Sequence, residues 1–213
     1  MTFSEFKNSI SKIGKVELPG AKSHEEMAPL ERLVELKNIN FKKKNPSKAA
    51  VMALFYPNQK AETMLVLILR NTYKGVHSAQ IGFPGGRVEP EDKNLQETAL
   101  RETWEEVGIA PEKIKVVKEL TDIYIPPSNF LVRPFIGIVD ETPTFVPQES
   151  EVAAIIEVSL DNFLNDEFLV EKIMTTSYAT KIKVPAFQFD EHVVWGATGM
   201  MLNEVKAILK SLL

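Results

Sequence analysis

Three carboxylates, Glu102, Glu105 and Glu106, crowd the end of the stretch "LQETALRETWEEVG", which has the spacing of a helix. On a helix, residues three and four apart are neighbours with Cβ atoms about 5–6 Å from each other, so like charges there repel by a few tenths of a kcal/mol per pair. The negative end of the helix dipole adds to that cost. Arg101 stands at the edge of the acidic side, and no lysine occurs between Asn94 and Gly108. Most charge runs are solvated faces, and that reading stands for this one. The alternative is a hard divalent cation as counter-charge. Mg²⁺ takes oxygen ligands, keeps several waters, and is held by a few carboxylates together with substrate phosphates. The missing lysines favour this second reading. With no cysteine and three scattered histidines, zinc is a poor candidate. The chemistry implied is metal-assisted work on a phosphate-bearing substrate.

The elements that must position these acids are legible around them. Asn94 followed by Glu97 makes an N-terminal capping pair, and Gly108 supplies the left-handed residue that ends many helices. The helix is expected over about 95–107, with Leu100, Trp104 and Val107 on a core side and the glutamates opposite. Gly85 and Gly86, just upstream, allow a tight turn and a close backbone approach, with a carbonyl as a further oxygen ligand. "AAVMALFYP" and "ETMLVLILR" have strand length and are joined by the polar "NQKA", which predicts a hairpin. "KIKVVKELTDIYI", "FLVRPFIGIVD", "EVAAIIEVSL" and "KIKVPAFQF" read as further strands, "DNFLND" as a short helix and "GATGMMLNEVKAILKSLL" as an amphipathic one. Trp195 and Gly196 read as the strand-to-helix junction. Residues 1–45 form a helical N-terminal extension: Phe3, Phe6, Ile10 and Ile13 recur at helical spacing, and "EEMAPLERLVELK" follows the breaker "LPGAKS". Residues 46–213 form the main domain, expected as an α+β sandwich.

The whole chain excludes several classes. Hydrophobic residues are 44% and charged residues 25%, the usage of an ordinary globular protein. A net charge of −4 gives no electrostatic reason to expect nucleic acid or an anionic membrane as partner. The absence of cysteine removes disulfides, thiolate metal sites and cysteine nucleophiles. The apolar runs are far shorter than the ~18–20 residues of a membrane span, and "MTFSEFKNSISKIGK" lacks the apolar core of a secretory signal. A cytoplasmic protein is expected.

The acidic helix and its glycines resemble the signature of the Nudix hydrolases: a glycine, five residues, an acid, seven residues, then Arg-Glu-aliphatic-any-Glu-Glu-any-Gly-aliphatic. Gly86, Asp92, Arg101, Glu102, Glu105, Glu106, Gly108 and Ile109 fill those places. Eight residues separate Asp92 from Arg101, and Thr103 replaces the first aliphatic. Both departures resemble the coenzyme A pyrophosphatase-like branch, whose upstream motif has an arginine, then His-any-Gly-Gln, then Phe-Pro-Gly-Gly. Here Arg70, His77, Gln80, Phe83, Pro84, Gly85 and Gly86 match, Ala79 replaces the motif glycine, and Lys74 and Gly75 stand where Leu-Arg is common.

This resemblance implies a Nudix-like α/β/α sandwich with a mixed, mainly antiparallel sheet. It implies Mg²⁺ or Mn²⁺ held by Glu102, Glu105, Glu106 and the Gly86 carbonyl, with Glu105 as third ligand or as base, and Arg101 orienting a glutamate with Glu97 as its partner. It implies Arg70, His77, Gln80 and Phe83 at a small-molecule diphosphate substrate, and Glu151 as a further ligand or base. Coenzyme A or its thioesters are the implied substrates. ADP-ribose or another nucleoside diphosphate derivative is the alternative, a non-catalytic binding module a more distant one. The resemblance admits a homodimer.

Overall fold

Strand β1 (Ser47–Pro57) is the spine of the structure. Ala49, Val51, Ala53 and Phe55 face one apolar layer, while Ala50, Met52, Leu54 and Tyr56 face the other. Both faces are covered, so the strand reads as a continuous apolar run. The computed structural model describes residues 1–29, 33, 41–71, 80–174 and 181–213.

Strand β2 (Thr63–Arg70) forms the expected antiparallel hairpin with β1, pairing Leu54–Pro57 with Thr63–Val66. Beyond that register the two strands part. The fork between them holds β3 (Ile81–Gly82) along β2 and β4 (Gly85–Arg87) along β1. Strand β8 (Val152–Ser159) lines the outer edge of β2, and β7 (Phe130–Ile138) runs parallel to β1 on its other side. Strands β5 (Lys115–Glu119) and β6 (Ile123–Ile125) pair antiparallel with β7. The sheet is therefore mixed and mainly antiparallel, with β1–β7 the parallel pair among the described strands.

On one side of the sheet lies helix α3 (Leu95–Val107); on the other lie α1 (Phe3–Ile10) and α5 (Gly196–Leu212). The short helices α2 (Ala21–Glu25) and α4 (Leu160–Leu164) flank α5. A second, antiparallel sheet joins β9 (Leu169–Met174), β10 (Ile182–Phe189) and β11 (His192–Trp195). Among the described residues no helix is long and apolar enough to cross a membrane.

The N-terminal segment packs into the same apolar layer as α5, because Phe3, Phe6, Ile10 and Ile13 are all buried there. A buried polar knot also ties the two. Glu204 on α5, fully buried, accepts from Thr121 Oγ1 at 2.6 Å, from the Gly20 N–H at 3.3 Å, and pairs with His24 Nε2 at 3.1 Å. Burial pushes its carboxyl up, but the His24 and Thr121 contacts together bring it below the usual range. Glu204→Gln keeps the shape and one acceptor oxygen but loses the charge, so it is expected to cost about 1–2 kcal/mol. Urea unfolding at pH 7 should show a lower midpoint with an unchanged slope.

Several expectations need correction. "LPGAKS" is not purely a break: Ala21 to Ser23 begin α2. Of "EEMAPLERLVELK", Glu25 ends α2 with Glu26 as its cap, and most of the remainder lies outside the described residues, so that helix is not tested. "KIKVVKELTDIYI" divides into β5 and β6, because the Leu120 N–H turns to the Pro134 carbonyl and Thr121 is drawn to Glu204. Strand β9 has no counterpart in the sequence reading, since it carries Glu171 and Lys172, whereas β11 ends at Trp195 and the helix begins at Gly196, the expected strand-to-helix junction. Trp104 is not on the core side of α3; it is 55% exposed. The helix buries Thr98, Ala99, Thr103, Glu106 and Val107 instead. Small side chains let α3 lie close against β1 and β4, which leaves no room for an indole.

Candidate active site

Helix α3 starts as expected: the Asn94 side chain accepts from the Glu97 N–H at 3.0 Å, and Gly108 ends it at φ 78°. Glu97 accepts from the Lys93 N–H and faces the Lys93 ammonium at 3.7 Å, so it is not the partner of Arg101. Thr103, in an aliphatic position, is buried without loss because its hydroxyl donates to the Ala99 carbonyl at 2.6 Å.

Arg101 is the hub of the acidic side. Its guanidinium donates to both oxygens of Asp92 at 3.0 and 2.9 Å, to Glu102 at 3.0 Å, to Glu105 at 3.0 Å, and to the Arg87 carbonyl at 3.0 Å. Hydrogen bonding to Arg101 holds the Asp92 carboxyl at about 2, and Asp92 raises the guanidinium in turn. A carboxyl depressed below its unfolded value stabilises the fold fully above about pH 4 and loses that contribution as pH falls toward 2. Asp92→Asn should therefore cost about 1–2 kcal/mol at pH 6 and little at pH 2. Melting curves of both proteins from pH 6 to pH 2 should converge at the acid end.

Glu106 is fully buried at the mouth of the β1–β2 fork. Its Oε1 accepts from Arg70 at 2.7 Å and its Oε2 from the Gly85 N–H at 2.7 Å, while Arg70 also donates to the Gly85 carbonyl at 2.6 Å. Burial pushes the Glu106 carboxyl up to about 7, against the pull of Arg70 and of Gly85. Burial likewise raises Glu102, against Arg101. Glu105 is the most exposed of the three acids, at 43%.

Gly86 lies against Glu102: a Cβ there would stand 2.5 Å from the carboxylate carbon. At Gly85, with φ 149°, a Cβ would overlap the Ala50 carbonyl and the Val51 Cα. Gly85 is thus required by the backbone it approaches, while Gly86 makes room for a side-chain carboxylate.

The structure brings together Arg70, Gly86, Arg101, Glu102, Glu105 and Glu106. Phe83, expected at the substrate, is instead buried in the apolar core, 1% exposed. Gln80 accepts from the Arg70 N–H through its carbonyl at the end of β2, and Glu151 is exposed at the turn before β8, its carbonyl taking the Asn71 N–H. His77 lies outside the described residues. Sequence reasoning missed the Gly85 N–H as a donor to Glu106; the paired glycines were the available signal.

The donor chemistry fits a hard divalent cation, being all oxygen, and the lack of a side chain at Gly86 lets its backbone lie against the Glu102 carboxylate, where a Cβ would overlap it. Among the described residues no three acidic or histidine side chains converge as a ready-made metal site. Two guanidinium groups meet the charge: Arg101 for Glu102 and Glu105, and Arg70 for Glu106.

A mixed sheet between helices, with an Arg-Glu-Glu-Glu helix end against a glycine turn, defines a Nudix-type hydrolase. Residues 46–175 match the NUDIX domain, and the chain belongs to that family. Its members act on small-molecule diphosphate substrates with divalent metal ions. The protein named peroxisomal coenzyme A diphosphatase ndx-8, from Caenorhabditis elegans, is 28% identical over 174 residues, covering 81% of this chain and 73% of that protein. The Nudix hydrolase NudL of Pectobacterium atrosepticum is 32% identical over 146 residues, covering 66% and 72%. Among solved structures, a MutT/nudix family protein from Enterococcus faecalis covers 88% of this chain and 72% of its own, with a TM-score of 0.52 and 14% identity, a likeness of fold.

Proposed function

We propose that the chain hydrolyses the diphosphate linkage of coenzyme A or its thioesters, giving 3′,5′-ADP and 4′-phosphopantetheine products. The observation that carries this reading is the contact between two motifs. The "FPGG" turn, which resembles the coenzyme A branch, is joined to the catalytic helix through the Gly85 N–H on Glu106 and through the Glu102 carboxylate beside Gly86. The relative bearing a coenzyme A diphosphatase name supports it.

In hydrolysis the oxygen of water adds to one phosphorus. The bond from that phosphorus to the bridging oxygen breaks, the leaving phosphate keeps the bonding pair, and the water loses a proton. Glu102, Glu106 and the Gly86 carbonyl would hold Mg²⁺ or Mn²⁺, with Glu105 as a third ligand or as the base. When bound, such an ion offsets the negative charge of the diphosphate and lowers the pKa of water. Arg101 holds Glu102 and Glu105 in place. Where Glu105, the most exposed of the three acids, serves as the base it takes the proton, and Glu151 is the second candidate base. Gln80 and His77 are the further substrate-contact candidates in this reading. In this reading the protein acts in the cytoplasm, and the family resemblance admits a homodimer.

A substrate panel with Mg²⁺, its products resolved by chromatography, tests the reading: 3′,5′-ADP should form from coenzyme A. Preferential cleavage of ADP-ribose or a nucleoside triphosphate would move the substrate within the family. A folded protein that cleaves no diphosphate would be a binding module.

A further inference from the structure

We infer that Arg70 is a positioning residue for Glu106, locking its carboxylate in place for ion binding rather than holding substrate phosphates. The inference rests on the metal-dependent diphosphatase reading. It starts from a closed ring: Arg70 spans Glu106 Oε1 at 2.7 Å and the Gly85 carbonyl at 2.6 Å, and the Gly85 N–H takes Glu106 Oε2 at 2.7 Å. A carboxylate offers about four lone-pair positions. The ring uses one on each oxygen, so rotation of the carboxylate is blocked while an acceptor position remains on each. The two terminal nitrogens that would grip a phosphate in a fork are both turned to protein oxygens. Glu106 is 1% exposed at its side chain and Arg70 22%, so the pair is shielded from competing water.

The strand end is built to aim this side chain. The β2–β8 register shifts between Leu69 and Arg70, so that Leu69 faces Ala154 and Arg70 faces Val152. Such an irregularity redirects the side chain next to it. The Arg70 N–H is held by the Gln80 carbonyl at 3.0 Å, and the next N–H, of Asn71, by the Glu151 carbonyl at 2.8 Å. Arg70 therefore leaves β2 at a fixed backbone position and reaches across the fork to α3.

The test uses the full chain with Arg70→Met and Arg70→Lys. Mn²⁺ affinity is measured without substrate by electron paramagnetic resonance, and kcat and KM with coenzyme A. Arg70→Met should weaken Mn²⁺ binding by about 10–100-fold, the usual range for losing a partner that orients a metal ligand, and lower kcat similarly while KM stays within about threefold. Arg70→Lys, which keeps the charge and one donor, should recover most of the Mn²⁺ affinity. In a Glu106→Gln background, Arg70→Met should change Mn²⁺ affinity by less than about twofold, because residues acting through one another are not additive.

A KM raised about tenfold or more, with kcat and Mn²⁺ affinity as in the wild type, would assign Arg70 to the substrate and overturn the inference. Equal Mn²⁺ losses with and without Glu106 would also overturn it. If circular dichroism shows Arg70→Met unfolded, Arg70→Lys decides on the same KM and Mn²⁺ criteria. A wild-type protein that binds Mn²⁺ but cleaves no diphosphate defeats the hydrolase reading alone, and the Mn²⁺ measurements still decide the role of Arg70.

Discussion

Glu106→Gln is expected to lower kcat on coenzyme A by about 10³-fold or more, equivalent to roughly 4 kcal/mol of transition-state stabilisation. The side chain is fully buried and both of its oxygens are engaged, one by Arg70 and one by the Gly85 N–H. An amide of the same shape keeps a carbonyl for one of these donors but presents an N–H₂ to the other. The anionic oxygen that a divalent ion needs is gone. The melting temperature should fall by only a few degrees, as about 1–2 kcal/mol in a chain of this size would give. Steady-state kinetics beside a melting curve is the measurement. Full turnover with Mg²⁺ in a folded Glu106→Gln protein would remove this residue from the chemistry.

The second large effect is on folding. Gly85→Ala should cost about 4 kcal/mol or more, because two independent penalties coincide. The backbone at φ 149° is a conformation that side-chain-bearing residues rarely adopt, and the new methyl would overlap the Ala50 carbonyl and the Val51 Cα of β1. Backbone in the central strand of a close-packed sheet cannot give way. The melting temperature should drop by roughly 10 °C. Gly86→Ala is the contrasting neighbour. Its methyl would meet the carboxylate of Glu102, the far end of a flexible side chain, at 2.5 Å. Stability should change by less than about 1 kcal/mol, while Mn²⁺ affinity falls by about tenfold as Glu102 is displaced. Calorimetry of both variants checks the pair. A Gly85→Ala protein as stable as Gly86→Ala would contradict the fork geometry.

Much of the fold was legible because it depends on local rules. The doubly apolar β1, the hairpin into β2, the Asn94 cap and the Gly108 stop each follow from period and backbone preference. What failed, failed where a partner distant in sequence decided the outcome. Trp104 fits the helical period of Leu100 and Val107, yet the close approach of α3 to the glycine strand β4 sends it outward and takes Thr103 and Glu106 in.

The sequence by itself determined the α+β class, the helix that carries the acids and the identity of those acids, because side-chain period, capping chemistry and charge crowding act within a few residues. Only the tertiary structure decided which cation meets which carboxylate. Arg70 and Glu106 lie 36 residues apart and meet because β1 and β2 splay, admit the Gly85 turn, and bring the end of one strand against the last turn of the helix. That pairing is a property of how the sheet divides, and no local pattern encodes it.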